Sequence, residues 1–291
     1  MTATAAPVPL RVRGRVGTRW LRSPTARFGL ALCAFVLLLA FVGPLVAPHG
    51  STEVIARAYA PASDDGLLLG SDYLGRDVLS RVMSGGRALI VLPLLATIVA
   101  YLIGGTLALT AAISRSRAGE VMMRSVDVLI VFPGLLLMLV LVTGLGESMT
   151  TLMAGIILLQ FPPVARILYA AALELSGRGY VEAAIARGER TRYLIAREIL
   201  PNVAGTVAAD FGPRLIASVF LIAALAFLGF GAEAPAANWA LMITENRSGI
   251  MINGLAVFAP VVAIALLTIG VSLVSDAVAR SIGAADDEEI G

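Results

Sequence analysis

Apolar residues in this chain fall into long unbroken runs and do not alternate or recur along a single helical face. Runs lie near Phe28–Val46, Ala88–Ile113, Val126–Val142, Met149–Ala172, Val203–Leu228 and Leu255–Val274, with polar or charged segments between them. A helix of about 20 apolar residues crosses about 30 Å of hydrocarbon, so the pattern predicts an all-α, polytopic membrane protein of about six transmembrane helices. The first run is longer than the roughly 7–15 apolar residues of a signal-peptide core and reads as a retained anchor.

Charge then orients the spans. The first 27 residues hold Arg11, Arg13, Arg15, Arg19, Arg22 and Arg27 without an acidic residue, and Pro7, Pro9 and Pro24 discourage a long helix there. Positive residues beside spans mark the cytoplasmic side, so 1–27 is expected to be a cytoplasmic tail. Residues 28–87 are read as the first span and an outward loop of mixed charge, which includes Asp64 and Asp65. Residues 88–275 form the transmembrane core. Arg115, Arg117 and Arg124 mark a short inner turn, and 173–201, with Arg178, Arg187, Arg190, Arg192, Arg197, Glu174, Glu182, Glu189 and Glu198, is the long cytoplasmic loop. Glu233 falls in a later outer loop. An acidic tail, 276–291, ends in Asp286, Asp287, Glu288 and Glu289, and six spans from a cytoplasmic start put both termini in the cytoplasm.

Composition narrows the function class. Hydrophobic residues make up 58% and charged residues 14%, with a mean hydropathy of +0.88, whereas soluble domains average about 25% charged. A net charge of +2 spread over arginines that flank spans provides topology signals and no nucleic-acid surface. All 22 basic residues are arginine, so the chain has no lysine for a P-loop and carries no ATPase of its own. One cysteine, Cys33, and one histidine, His49, exclude a disulfide framework and a Cys/His metal centre. Cys33 reads as a thiol buried in protein or lipid, and His49 as a loop histidine. No catalytic residue, metal ligand or bound cofactor is expected.

Three local patterns carry more. Ala96, Ala100, Gly104, Ala108 and Ala112 form a ridge of small residues at intervals of four, the spacing that lets membrane helices approach closely. From Tyr180 the cytoplasmic loop reads as two short helices around Gly188, the second ending before Pro201. Tyr193, Leu194 and Arg197 lie on neighbouring faces of that second piece, as suits docking on a soluble partner. Asp210 and Arg214 lie inside the fifth span, where an unpaired charge costs at least about 2.5–3.5 kcal/mol. Their spacing of four permits an ion pair, and two roles stay open: a polar patch on a solute path, or a structural pair against a neighbouring helix.

Glu182-Ala183-Ala184, with Gly188 six positions after the glutamate and Leu200-Pro201 closing the loop, resembles the EAA motif of ABC-importer permeases. Leu69-Gly70-Ser71-Asp72-Tyr73-Leu74-Gly75-Arg76-Asp77-Val78-Leu79-Ser80-Arg81 is similar to the LGTDxLGRDVLSR element of the dipeptide, oligopeptide and nickel branch. Met123-Arg124-Ser125-Val126-Asp127 with Phe132-Pro133, and Phe227-Leu228-Gly229-Phe230-Gly231 followed by Trp239, resemble two further elements of that branch, the last favouring its C-type subunit. Met83-Ser84-Gly85-Gly86-Arg87 is only superficially like the LSGGQ signature of ABC ATPases, since no P-loop accompanies it.

The resemblance implies a type I ABC-importer permease fold and a set of partners. These are a second homologous permease, two ABC ATPase subunits that hold ATP and Mg, and an extracytoplasmic substrate-binding protein. It implies that Glu182, Ala183, Ala184, Arg187, Gly188, Tyr193 and Leu194 couple to the ATPases. Asp72, Gly75, Arg76, Asp77 and Trp239 are placed in the outer loop on the binding-protein side, with Asp72, Arg76 and Asp77 expected in a structured outer cap in preference to a solvated loop surface, and Asp210 and Arg214 are candidates for the translocation path. The implied cargo is di- or oligopeptides, with nickel chelates or other small solutes behind them. An ion-gradient-driven transporter or channel is the alternative, for which the sequence offers only Asp210 and Arg214. A membrane-embedded enzyme lacks any metal motif or nucleophile constellation.

Overall fold

The computed structural model describes residues 18–63, 66–114, 117–231 and 236–288. The arginines before Thr18, together with Asp64, Asp65, Arg115, Glu233 and Glu289, lie outside the described residues. Among the described residues the regular structure is helical, with two isolated β-bridges, Val54 to Arg76 and Ser71 to Asp77.

After a 3₁₀ turn at Thr18–Arg22, α1 runs Pro24–Phe41. Pro24, expected to discourage helix, starts one. It occupies the first turn, where its missing N–H is no loss, and the Ser23 hydroxyl accepts from the Ala26 N–H at 3.1 Å. The first apolar run breaks at Val42, and Gly43–Val46 forms the short α2. The expected polar loop before Arg87 contains a further helix, α3 (Val78–Ser84), capped by Asp77. It leads into α4, Gly86–Ser114.

The third apolar run is not one straight span. It divides into α5 (Arg117–Ile130) and α6 (Gly134–Leu145), bent by 85°. Pro133 lacks an N–H and pushes Phe132 out of the helical region, so the helix ends there and restarts. Among the described residues five helices are long and apolar enough to cross a membrane, and the bent pair makes a sixth crossing if it is one span. Then follow α7 (Met149–Ser176), α8 (Gly179–Ala186) and α9 (Thr191–Tyr193). A π-helical turn, Leu194–Ile199, leads into α10, Leu200–Phe227. Pro201, expected to stop the loop helix, sits in the first turn of α10. The widened turn directly precedes this residue, which cannot donate to an i−4 carbonyl. The chain ends with α11 (Trp239–Asn246) and α12, Leu255–Glu288. The last helix therefore continues through most of the segment expected to be an acidic tail.

Packing gives the bundle two ends. The most extensive helix pair is α4 with α7, and α1 lies against α12. All five small residues of the α4 ridge are buried, and a side chain at Gly104 would bring its Cβ to 2.6 Å from the Phe161 carbonyl oxygen. The ridge is a close helix contact. Cys33 lies at the α1–α12 crossing, where a Cβ on Gly270 would come within 2.8 Å of its Sγ. One apolar cluster gathers Val78, Leu89, Ile222, Leu225 and Trp239 at the end of the bundle where the 47–77 segment folds over. The other gathers Ala108, Ala112, Met123, Leu168, Ala172, Ile199 and Val203 beside α8. The 29 residues of α4 span about 43 Å between these ends. Near the α8 end, the Arg280 guanidinium donates to Thr25 Oγ1 at 3.2 Å.

Candidate functional site

The segment from α8 to α10 is anchored on one side and bare on the other. Val181, Ala184, Leu194 and Ile199 are buried, whereas Glu182, Ala183, Ile185, Ala186 and Arg187 are exposed. Gly188 sits at φ +77°, where a side chain is strained even though no atom crowds it. There the chain turns out of α8, with the Gly188 N–H donating to the Ile185 carbonyl at 2.9 Å. Arg187 reaches Glu189 at 2.6 Å, and the Arg197 guanidinium lies 5.7 Å from the ring centroid of exposed Tyr193. Burial pushes the Tyr180 phenol above its ordinary pKa, with Arg178 pulling down and Glu198 up. Of the expected loop residues, Ala184 and Leu194 are buried and anchor the segment on the bundle. Glu182, Ala183, Arg187, Gly188 and Tyr193 are exposed, with Ile185 beside them.

At the opposite end, Asp72, Gly75, Arg76, Asp77 and Trp239 form the inside of a cap. Asp72, Arg76 and Trp239 are at most 1% exposed, so these side chains build the cap from within. Arg76 Nε donates to Asp72 Oδ2 at 2.6 Å, and its Nη2 meets Glu245 Oε2 at 3.2 Å. Arg81 reaches the same two carboxylates at 3.4 and 2.9 Å. Two guanidiniums and two carboxylates thus balance inside the protein, joining residues 72–81 to α11. Tyr73 stacks against Arg76 at 5.1 Å and donates to Glu245 Oε1 at 3.2 Å. Burial first, then the charge and hydrogen bond of Glu245, raise the Tyr73 pKa, and Arg76 opposes them.

Backbone turns close the cap. Gly75, at φ +84°, donates to the Asp72 carbonyl at 3.0 Å, and its own carbonyl accepts from Ile55 and Ala56. Asp77 accepts from the N–H groups of Leu79 and Ser80 and from the Ser80 hydroxyl, with His49 Nδ1 3.3 Å away. Trp239 donates from Nε1 to the Val82 carbonyl at 2.7 Å.

Between the two ends, Arg214 Nε donates to Asp210 Oδ2 at 3.1 Å, which also accepts from the Tyr101 hydroxyl at 2.6 Å. The predicted pair forms. Gln160 adds a donor to the Arg214 carbonyl and another to Ser218, each at 2.9 Å. Sequence reading passed over Arg166, which pairs with Asp127 of α5. The signal was present, since Arg166 is the only charged residue in the Met149–Ala172 run. Arg81 and Glu245 were also missed as partners, because nothing local connects positions so far apart. Among the described residues no group of three or more His, Cys, Asp or Glu is placed to hold a metal ion.

Comparison with known proteins agrees with this architecture. Residues 104–284 match the family model described as binding-protein-dependent transport system inner membrane component. Residues 14–62 match the N-terminal TM domain of oligopeptide transport permease C. The glutathione transport system permease protein of Pectobacterium atrosepticum is 33% identical over 208 residues, 72% of this chain and 69% of that protein. The dipeptide transport system permease protein of Bacillus subtilis is 29% identical over 234 residues, 80% of this chain and 73% of that protein. The oligopeptide transport system permease protein of the same organism is 28% identical over 259 residues, 89% and 85% of the two chains. With its helical bundle, broken third span and projecting α8 loop, the chain belongs to the binding-protein-dependent inner-membrane permeases of ABC importers, in their peptide-transport branch.

Proposed function

We propose that the chain is one of two permease subunits that together enclose the solute path of a peptide importer in the bacterial cell membrane, with both termini in the cytoplasm. Two partner ATPases bind and hydrolyse ATP with Mg, an extracytoplasmic binding protein delivers the solute, and this subunit performs no chemistry. The observation that carries the reading is the α8 loop: buried through Val181, Ala184, Leu194 and Ile199, solvent-exposed along Glu182, Ala183 and Arg187. ATP-driven closure of the ATPases does work on the permease only if the closed pair binds one conformation of this loop better than another. A short helix fixed on one side to α7 and α10 transmits such a bias to the spans.

The cargo is a di- or oligopeptide, supported by relatives named for dipeptide, oligopeptide and glutathione transport. The test is uptake into proteoliposomes holding the whole complex. Accumulation of a mixed dipeptide pool that requires ATP and the binding protein together supports the reading. Accumulation driven by an ion gradient without ATP overturns it.

A further inference from the structure

The mid-span charges remain outside both the α8 loop and the cap. Arg166 lies ten residues, about 15 Å, before the end of α7, and Asp127 lies three residues before the end of α5. They pair with 61% and 38% of their side chains exposed. A groove opens on each side of the pair. One, of about 390 Å³, is lined by Ile130, Val131, Pro163 and Ile167 with Arg214 at its wall. The other, of about 360 Å³, is lined by Glu120, Met123, Arg124 and Tyr169. Asp127 and Arg166 contribute to both, so the ion pair forms a bar across a continuous trough.

Charges open to this extent within spans do not face lipid, and side chains of this kind line water-filled cavities or the bundle interior. A dry contact with another protein would strip both ions of water, whereas room on either side of the pair keeps them hydrated. We infer that the trough is the part of the solute path nearer the α8 end, and that Asp127 and Arg166 exchange their mutual ion pair for the charged ends of a free peptide. This rests on the importer reading. A free peptide carries one ammonium and one carboxylate. The guanidinium fork of Arg166 receives the carboxylate through two parallel N–H donors, and Asp127 receives the ammonium. Before and after the exchange every charge has a partner. Arg214, held by Asp210, is the next cation along the wall.

The test uses the complex purified with its partner subunits in lipid nanodiscs, in a Cys33→Ala background. Single cysteines at the groove wall, Val131→Cys and Ile167→Cys, are treated with anionic and cationic methanethiosulfonate reagents. Both reagents are expected to react with both positions. Asp127→Asn, which frees Arg166, is expected to speed the anionic reagent over the cationic one by about tenfold, and Arg166→Gln to reverse that preference. A saturating mixed dipeptide pool is expected to slow labelling in the parent and not in the double neutral variant. Failure of either reagent to react places the trough against lipid or protein and overturns the inference. Reaction without a pair-dependent preference and without protection overturns it equally. Partner ATPases present in the same preparation show that the importer reading stands while this inference falls; their absence shows that the importer reading itself has failed.

Discussion

Replacing Glu245 by glutamine removes one negative charge from a site in which Asp72, Arg76, Arg81 and Glu245 are all at least 92% buried. Two guanidiniums then share the single carboxylate of Asp72. Removing one partner of a buried ion pair costs about 3–5 kcal/mol, because the remaining charge is neither solvated nor matched. Glutamine keeps the shape and one acceptor oxygen toward Arg76 and Arg81, which places the effect near the lower end, about 3 kcal/mol. At about 2–4 °C per kcal/mol, Tm falls by roughly 6–12 °C. With Trp20 replaced by Phe, the reporter is built in: Trp239 is fully buried and bonded to Val82 beside the cluster, so its emission in detergent follows the melting of the cap. Adding Arg81→Gln restores charge balance, and the double variant is expected to lose less than the sum of the two single losses. A Glu245→Gln protein melting within about 2 °C of the parent, with unchanged Trp239 emission, would refute the claim that this charge balance holds the cap to α11.

Gly188→Val forces a β-branched residue into the left-handed region at a cost of about 1–3 kcal/mol. It is expected to abolish ATP-driven uptake without lowering the cap Tm, while Gly188→Asn, which tolerates that conformation, retains uptake. Gly104→Leu collides with the Phe161 carbonyl and is expected to destabilise the α4–α7 contact by about 1–3 kcal/mol in thermal melts. Gly105→Ala, which meets only Leu168 Cδ1 at 3.4 Å, is expected to be tolerated. Because the Tyr73 pKa is raised, the folded protein holds that proton more tightly than the unfolded chain does. The stability it contributes is complete below the unfolded value near 10 and is lost as pH rises through the folded one. Tyr73→Phe is therefore expected to flatten the fall of Tm with pH above about 10.

The spans were legible because lipid accepts only long apolar runs whose backbone bonds are satisfied internally. The exception follows from the same averaging. Hydropathy across 126–142 stays high while Phe132-Pro133 breaks the helix, so the run looked continuous even though its proline was visible. Small residues spaced by four announced the α4–α7 contact because close approach leaves no room for anything larger. The cap was legible as a structured outer segment, but not its means of burial, because the carboxylate that balances Arg76 and Arg81 comes from Glu245, more than 160 residues later. In the 173–201 loop the sequence showed two short helices around Gly188 but not which of their residues are buried, Ala184 and Leu194 among them, because that is set by packing against the spans. Arg166 needed only one further step, from a lone charge in a span to the question of its partner.

The central claim is that the α8 loop joins these spans to ATPases. The most direct measurement is mild-detergent purification of the tagged chain expressed with its neighbouring genes, the parent beside Glu182→Lys, with mass spectrometry of what stays bound. The account predicts a second six-span permease and P-loop ATPases with the parent, and loss of the ATPases but retention of the permease with the variant. Full recovery of the ATPases with Glu182→Lys, or a parent chain that purifies alone and transports without ATP, would contradict it.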